Sequence, residues 1–255
     1  MTKKCIKEYT KQYEVMYRDS DYKLRCKLAS MIDFFCDIGN IHAEEVGDSI
    51  DFQLSHGCTW VFYKYDINVY KYPKYRQKIN VTTVPLGFKK FYAFRKYLIK
   101  NEDGELLAEA TALFFLINIE KRRPARILKE QYKMYGADGD MDKALDMDKV
   151  QKMEREDYYK EFQIRYSDID SNTHVNNVKY IEWAIESVPV EVVKDYEIKR
   201  IKIVFEKETK YGDAIHVSAE VNEQEDGSLV TLHRITNRDG DELTVLEAHW
   251  EKEEK

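Results

Sequence analysis

The densest group of side chains capable of chemistry in this 255-residue chain lies between Arg165 and Tyr180. The run is Arg165-Tyr166-Ser167-Asp168-Ile169-Asp170-Ser171-Asn172-Thr173-His174-Val175-Asn176-Asn177-Val178-Lys179-Tyr180. Two carboxylates, a carboxamide and an imidazole fall within seven residues of it. An imidazole beside carboxylates can move protons near neutral pH. The polar run also ends where an apolar helical pattern begins. The unpaired N–H groups of a helix start can receive an oxyanion, and its dipole favours a carboxylate over a protonated His. Two other readings stand beside this one. Asp170 or Asn172 could simply be the helix N-cap. Asp, Asp and His could also hold a metal, although no second His or Cys cluster supports that.

The elements that must position this run are legible because the chain repeats itself. Lys74-Tyr75 followed by Ile79 and Val81 returns 136 residues later as Lys210-Tyr211 followed by Ile215 and Val217. Asn101-Glu102-Asp103-Gly104 meets Asn237-Arg238-Asp239-Gly240 at the same offset. Upstream, Asp19-Ser20-Asp21 faces Asp168-Ile169-Asp170 at offset 149, which places a longer loop between Ile38 and Trp60 of the first copy. The expected organisation is a first repeat over 1–119, a charged connector over 120–159 and a second repeat over 160–255.

Each copy reads as a short strand, a helix and four strands. The first strands are Tyr9–Tyr17 and Tyr159–Tyr166. In copy one, Leu24, Leu28, Ile32, Phe35 and Cys36 recur at helical spacing, with Gly39 as C-cap. In copy two the helix spans about 175–187, almost apolar all round, and Pro189 stops it. Strands follow at Thr59–Tyr70, Lys78–Pro85, Lys90–Lys100 and Leu106–Asn118, then at Lys199–Glu208, Ala214–Asn222, Ser228–Thr236 and Leu243–Lys252. All are rich in Val, Ile, Thr, Tyr and Phe. Asp103-Gly104 and Asp239-Gly240 are predicted hairpin turns. The connector reads as helical over Ile127–Tyr135 and Met141–Glu156, a solvated linker. This is an α+β pattern in which each sheet wraps one apolar helix.

Composition narrows the classes. With 43% hydrophobic and 35% charged residues a packed core is expected. Ten glycines and four prolines argue against a Gly-rich phosphate-binding loop. The four cysteines, Cys5, Cys26, Cys36 and Cys58, all precede residue 60 without a CxxC pair, which fits reduced thiols in a cytoplasmic protein. A formal net charge of −6 argues against nonspecific nucleic-acid binding. No apolar run is long enough for a membrane span, and Met1 to Glu8 lacks the apolar stretch of a secretory signal. His42, His56, His216, His233 and His249 lie without acidic partners at useful spacing.

The motif resembles a known family. His-Val-Asn-Asn-Val-Lys-Tyr after Asp-x-Asp-x-Asn-x is similar to the signature of hot-dog thioesterases, and Asn172-Thr173 before the His resembles the acyl-ACP thioesterases of plants and bacteria. Ile181-Glu182-Trp183 through Glu186-Ser187-Val188-Pro189 extends the match. So do Trp60-Val61, Tyr70-Lys71-Tyr72-Pro73-Lys74, Val81-Thr82-Thr83 and Gly87-Phe88-Lys89 of copy one. The resemblance implies a tandem (double) hot-dog, each repeat an antiparallel sheet wrapped around a long central helix. It implies hydrolysis of fatty acyl-ACP to free fatty acid and holo-ACP in fatty acid biosynthesis, with no cofactor and no metal.

Carried onto this chain, the resemblance makes Asp170, Asn172, His174 and Glu208 the expected catalytic residues. Plant members carry Cys directly after the Glu, where this chain has Thr209, and copy two contains no cysteine. Water activated by Glu208 is therefore the expected nucleophile, which asks for partial burial to raise that carboxyl. His174 and Asn172 would orient water and Glu208, Asp170 would hold His174 or the helix start, and the N–H groups of Val175 and Asn176 are oxyanion candidates. In copy one the corresponding positions are Asp21, Lys23, Arg25 and Tyr72, so one active site per chain is expected. Ile32, Phe35 and Cys36 are candidates for an acyl tunnel, or ordinary core. The partner is an acyl carrier protein, which is acidic. Its docking candidates are Lys121, Arg122, Arg123 and Arg126, or Lys199, Arg200 and Lys202. A monomer and a homodimer are both allowed. An acyl-CoA thioesterase or a non-catalytic acyl-binding protein are the rival functions. A hot-dog hydratase expects a Pro shortly before the His, which is missing here.

Overall fold

The computed structural model describes residues 8–136, 145–170 and 173–253. The chain divides into two compact units, residues 1–63 with 70–147 and residues 64–69 with 148–255.

The first unit contains β1 (Tyr9–Glu14), α1 (Leu28–Val46), α2 (Ile50–Ser55), the first half of β2 (Cys58–Val69), β3 (Lys78–Lys89), β4 (Tyr92–Asn101), β5 (Leu106–Asn118), a two-residue β6 (Arg123–Pro124) and α3 (Lys129–Met134). Strands β1, β3, β4 and β5 pair antiparallel in that order, with β2 next to β5. Alternation sets the inner face: Ile79, Val81 and Thr83 of β3 are buried, whereas the residues between them reach solvent to varying degrees. Met31, Ile32, Phe35 and Ile38 of α1 fill the concave side, and Phe35 stacks on Tyr97 with ring centroids 5.0 Å apart.

Two expectations for this helix are corrected. Leu24 is not helical; it is an exposed turn residue with φ 58°, and α1 begins at Leu28. Gly39 does not cap α1 but sits inside it. A Cβ there would stand 2.9 Å from the Tyr97 hydroxyl, so Gly39 permits the close approach of that side chain. The cap is Gly47, at φ 97°. The extra length expected between Ile38 and Trp60 is taken up by the last two turns of α1 and by α2. Ser49 caps α2 by accepting from the Phe52 N–H at 3.1 Å. Its neighbour Asp48 is fully buried and accepts from Trp60 Nε1 (2.8 Å), Gln131 Nε2 (3.0 Å) and the Tyr135 hydroxyl (3.0 Å). Burial pushes the Asp48 carboxyl up, and the three donors offset this only in part. This one carboxylate ties α3 to the α1–α2 corner.

The second unit contains β7 (Tyr158–Gln163), α4 (Asn177–Ser187), α5 (Val190–Asp195), β8 (Tyr196–Phe205), β9 (Ala214–Glu223), β10 (Leu229–Asn237) and β11 (Glu242–Lys252). Its antiparallel order is β8-β11-β10-β9-β7, and Lys64–Asn68 of β2 pairs with the outer side of β8. Val178, Ile181, Trp183 and Ala184 of α4 are buried. The helix is less uniformly apolar than expected, because Lys179 and Glu182 form an ion pair at 2.7 Å on its outer side. Pro189 both follows α4 and serves as the N-cap of α5.

The connector departs most from expectation. The predicted second helix begins at Met141, which lies outside the described residues, and 145–156 has no regular secondary structure. Its polar groups go to side chains of the second unit instead of to each other. Lys64 Nζ donates to the Asp148 carbonyl, and Lys202 Nζ donates to the Lys149 carbonyl at 3.2 Å. Glu247 accepts from the Gln151 N–H at 2.8 Å, and Glu220 accepts from the N–H groups of Glu154 and Arg155. The segment is thus a strap held by hydrogen bonds, and charge-assisted bonds of this kind outcompete helix formation.

The duplication extends to hydrogen bonds. Asn101 accepts from the Glu105 N–H, and Asn237 accepts from the Asp241 N–H, each at 2.8 Å. Gly104 and Gly240 carry φ of 85° and 81°, the left-handed geometry these hairpins need. Among the described residues no helix is long and apolar enough to cross a membrane. Cys26, Cys36 and Cys58 carry thiols, not disulfides.

One buried group makes stability depend on pH. His233 is enclosed between Ser187 Oγ (3.2 Å to Nδ1) and Thr231 Oγ1 (2.8 Å to Nε2). Ser187 donates to the Ala184 carbonyl and Trp250 donates to Thr231, so a neutral imidazole protonated at Nδ1 satisfies every member. Burial lowers the His233 pKa to about 3, against about 6.5 in an unfolded chain. The unfolded chain therefore binds the extra proton first. The stability contributed by keeping His233 neutral is complete above pH ~6.5 and declines as pH falls toward ~3. Urea midpoints measured from pH 7 to 5 should fall for the wild type and fall less for His233→Asn; parallel declines would show that His233 does not titrate on unfolding.

Candidate active site

The site is built where two loops of the second unit meet. The first follows β7. A single 3-10 turn at Tyr166–Asp168 is closed by the Asp168 carboxylate, which accepts from the Arg165 N–H (2.8 Å) and the Arg165 guanidinium (3.0 Å). Burial alone would raise the Asp168 carboxyl, but these bonds outweigh it and hold it below the usual carboxylate range. A tight turn comes next. The Asp170 N–H donates to the His174 carbonyl at 2.9 Å and the Thr173 N–H donates to the Asp170 carbonyl at 3.1 Å. Thr173 is left-handed at φ 65°, which for a β-branched residue costs on the order of 1–3 kcal/mol. The strain sits directly before His174. Asn176 then caps α4, its side chain accepting from the Val178 N–H at 3.0 Å.

The second loop follows β8. Its start is pinned by the N–H groups of Glu206 and Lys207, which share the Leu243 carbonyl. The Val175 N–H donates to the Thr209 carbonyl at 3.1 Å and joins the two loops. The result brings His174 Nε2 to 3.3 Å from Glu208 Oε2. Both side chains keep access to solvent, at 32% and 38% relative exposure. Sequence reading put Glu208 at the end of a strand over Lys199–Glu208, but it lies three residues past the end of β8, in the following loop. Asn172 lies outside the described residues.

The corresponding loops of the first unit share this scaffold bond for bond. The Met16 N–H donates to the Asp19 carboxylate as Arg165 does to Asp168. The Asp21 N–H donates to the Arg25 carbonyl, the N–H groups of Tyr70 and Lys71 share the Leu107 carbonyl, and the Cys26 N–H donates to the Pro73 carbonyl at 2.7 Å. Leu24 is left-handed where Thr173 is. At the dyad position, Arg25 lies over the Tyr72 ring at 5.4 Å and holds Asp21 at 3.1 Å. The scaffold is duplicated, and the His–Glu pair occurs in the second copy.

The oxyanion assignment is corrected. The Val175 N–H is committed to the Thr209 carbonyl, and the Asn176 N–H donates to the Asp168 carbonyl at 2.9 Å. Both hold the loop, so neither is available to a substrate. In the first turn of α4 the Val178 and Lys179 N–H groups are also engaged, whereas that of Asn177 has no hydrogen bond among the described residues.

Thr209 is buried and its hydroxyl donates to Asp213 at 2.8 Å. Cys26, Cys36 and Cys58 belong to the first unit, and burial pushes the thiols of Cys26 and Cys58 up. Among the described residues no group of three His, Cys, Asp or Glu could hold a metal ion. Two neighbours of the dyad were not singled out from sequence. Tyr180 is buried, and burial together with the nearby Glu208 and Asp170 carboxylates pushes its phenol up. Asp213 fixes Thr209 from the far end of the same β8–β9 loop. Tyr180 ends the motif itself; Asp213 carried no sequence signal.

Other expected site residues fall elsewhere. Ile32 and Phe35 are fully buried in the first unit and Cys36 is half-buried, in the packing of an ordinary core. Lys121, Arg122, Arg123 and Arg126 are exposed around β6. The second docking group is corrected. Lys202 is buried against Glu247 at 2.6 Å, Arg200 is held by Asp66 and Asp148, and Lys199 is paired with Glu197, so these charges are already compensated. His216 and His249 do meet carboxylates, Glu156 at 2.9 Å and Glu247 at 2.7 Å, because strand pairing and the strap gather groups that sequence spacing separates.

Comparison with known proteins agrees with this architecture. Residues 6–135 match the acyl-ACP thioesterase N-terminal domain, and residues 151–252 match the acyl-ACP thioesterase C-terminal domain. The chain is 26% identical over 204 residues to a chloroplastic palmitoyl-acyl carrier protein thioesterase of Gossypium hirsutum, covering 75% of this chain and 49% of that protein. The chain spans about half the length of the curated relatives it matches first. The 12:0-ACP thioesterase from Umbellularia californica superposes with a TM-score of 0.85 at 20% identity, over 96% of this chain and 94% of that one. An acyl-ACP thioesterase from Bacteroides thetaiotaomicron does so with 0.82 at 20% identity, over 96% and 98%. At these identities the structural likeness establishes the fold, a tandem hot-dog. The two domain matches together span most of the sequence, and on that ground the chain belongs to the acyl-ACP thioesterase family.

Proposed function

We propose that this chain hydrolyses the thioester of fatty acyl-[acyl carrier protein], releasing free fatty acid and the carrier thiol. The observation that carries this reading is the His174–Glu208 pair, 3.3 Å apart at a helix start within the matched C-terminal domain. A thioester carbon is already electrophilic, so attack needs a base for water and a donor for the oxyanion more than a covalent relay. Glu208 takes the proton from water, and His174, in contact with it, orients the carboxylate and the water. General-base assistance of this kind is worth about 10²–10⁴ in rate. Asp170 shapes the turn through its backbone bonds to His174 and Thr173. Asn172 keeps the substrate-orienting role that the family resemblance implies. Within the first turn of α4, the Asn177 N–H is the backbone donor open to the oxyanion.

Two predictions follow from this division of roles. His174→Ala and Glu208→Gln should each lower kcat on acyl-ACP by about 10²-fold or more. Their melting temperatures should stay within a few degrees of wild type, because partly exposed side chains contribute little to stability. Full turnover in both variants would remove the site assignment. Thr209→Ala should lose a little stability through Asp213 and less than about tenfold in kcat, since a catalytic group costs about 10²-fold or more. A larger loss would make the Thr209 hydroxyl part of the chemistry.

A further inference from the structure

The duplicated scaffold allows a like-for-like comparison of surface charge. Residues 16–27 and 70–78 of the first repeat correspond, at offsets 149 and 136, to residues 165–176 and 206–214 of the second. The catalytic loops hold three basic and five acidic residues, a net of −2. The corresponding loops of the first repeat hold eight basic residues (Arg18, Lys23, Arg25, Lys27, Lys71, Lys74, Arg76, Lys78) against Asp19 and Asp21, a net of +6. The whole chain carries −6, so this one pole opposes the global sign.

The patch is real in three dimensions. The Cys26 N–H to Pro73 carbonyl bond and the Tyr75 N–H to Leu24 carbonyl bond hold the two loops side by side. Arg18, Lys27, Lys71, Lys74, Arg76 and Lys78 are all exposed. Arg25 is turned inward by Asp21, and Lys71 is paired with Glu105. Among the described residues no carboxylate lies in ion-pair range of Lys27, Lys74, Arg76 or Lys78. Apolar surface is interleaved with these charges: Met16, Tyr17, Tyr22 and Leu24 are each about half exposed or more. Uncompensated cations around exposed aromatic and aliphatic side chains are the composition of a docking face for an acidic protein.

We propose that this pole of the first repeat, centred on Lys27, Lys74 and Arg76, is the docking surface for the acidic acyl carrier protein. The proposal rests on the reading of the substrate given above. It also explains why the scaffold persists where the dyad is replaced by Arg25 and Tyr72: the loops still present a surface. The exposed group at Lys121, Arg123 and Arg126 is the natural control, since it offers the same charge elsewhere on the same unit.

The test compares two triple variants, Lys27→Glu/Lys74→Glu/Arg76→Glu and Lys121→Glu/Arg123→Glu/Arg126→Glu, after confirming that both melt like wild type. Substrates are acyl-ACP and the acyl-N-acetylcysteamine thioester, which lacks the carrier. The first variant should raise KM for acyl-ACP about tenfold or more at low salt, in the range of steering effects. It should leave kcat/KM on the small thioester within about twofold, and the control should change neither. An unchanged KM for acyl-ACP, an equal loss in the control, or an equal loss on both substrates overturns the proposal. Anisotropy of labelled holo-ACP separates the two readings. If wild type binds holo-ACP but hydrolyses no acyl-ACP, the catalytic reading fails, and docking stands only if the first variant alone abolishes that binding. If wild type binds no holo-ACP, docking is wrong whatever the turnover.

Discussion

A single backbone hydrogen bond, from the Val175 N–H to the Thr209 carbonyl, holds the candidate site together. His174 and Glu208 are neighbours in space only because the residues next to them are joined by that bond. Everything around it serves to hold it: Asp168 closing the 3-10 turn, the Leu243 carbonyl pinning the start of the second loop, Asp213 holding Thr209. The site thus consists of two partly exposed side chains on two loops that backbone hydrogen bonds tie together through buried Asp168, Val175 and Thr209, the arrangement that lets functional groups be replaced without loss of fold.

The first repeat shows that freedom in use. The same frame carries Arg25 and Tyr72 at the dyad positions, and its rim is strongly positive where that of the second repeat is net negative. Both left-handed residues, Leu24 and Thr173, have been kept although neither is glycine. Two copies of one scaffold therefore differ in chemistry through side chains alone. Stabilising devices differ as well. The first unit relies on buried Asp48 to dock α3, and the second relies on carboxylates, Glu220 and Glu247, to receive N–H groups of a strap that has no regular secondary structure.

Much of this was legible in the sequence because the strands are β-branched and aromatic and because two constant offsets recur. The offsets 136 and 149 reappear as matching hydrogen bonds, which is why the repeat could be read at all. What was missed has physical causes. Gly39 looked like a cap because a helical glycine usually is one; its reason is Tyr97, far away in sequence. The strap looked helical because local propensity cannot register Glu220 and Glu247 taking its N–H groups. Val175 and Asn176 looked like oxyanion donors because their carbonyl partners, on Thr209 and Asp168, appear only on folding. Lys199, Arg200 and Lys202 looked like a docking run, whereas the uncompensated charge lies on two loops separated in the chain. Summing charges over loops matched by the repeat would have found it.

The central claim is that water, oriented by the His174–Glu208 pair, attacks the thioester without a covalent acyl-enzyme. The direct measurement is hydrolysis of acyl-ACP in H2(18)O under single-turnover conditions, with mass spectrometry of both the fatty acid and the digested protein. The account predicts one heavy oxygen in the fatty acid and none in the peptides carrying Asp170, Glu208 or Thr209. Heavy oxygen recovered in either carboxylate, or an acyl group trapped on any of the three residues, would contradict it.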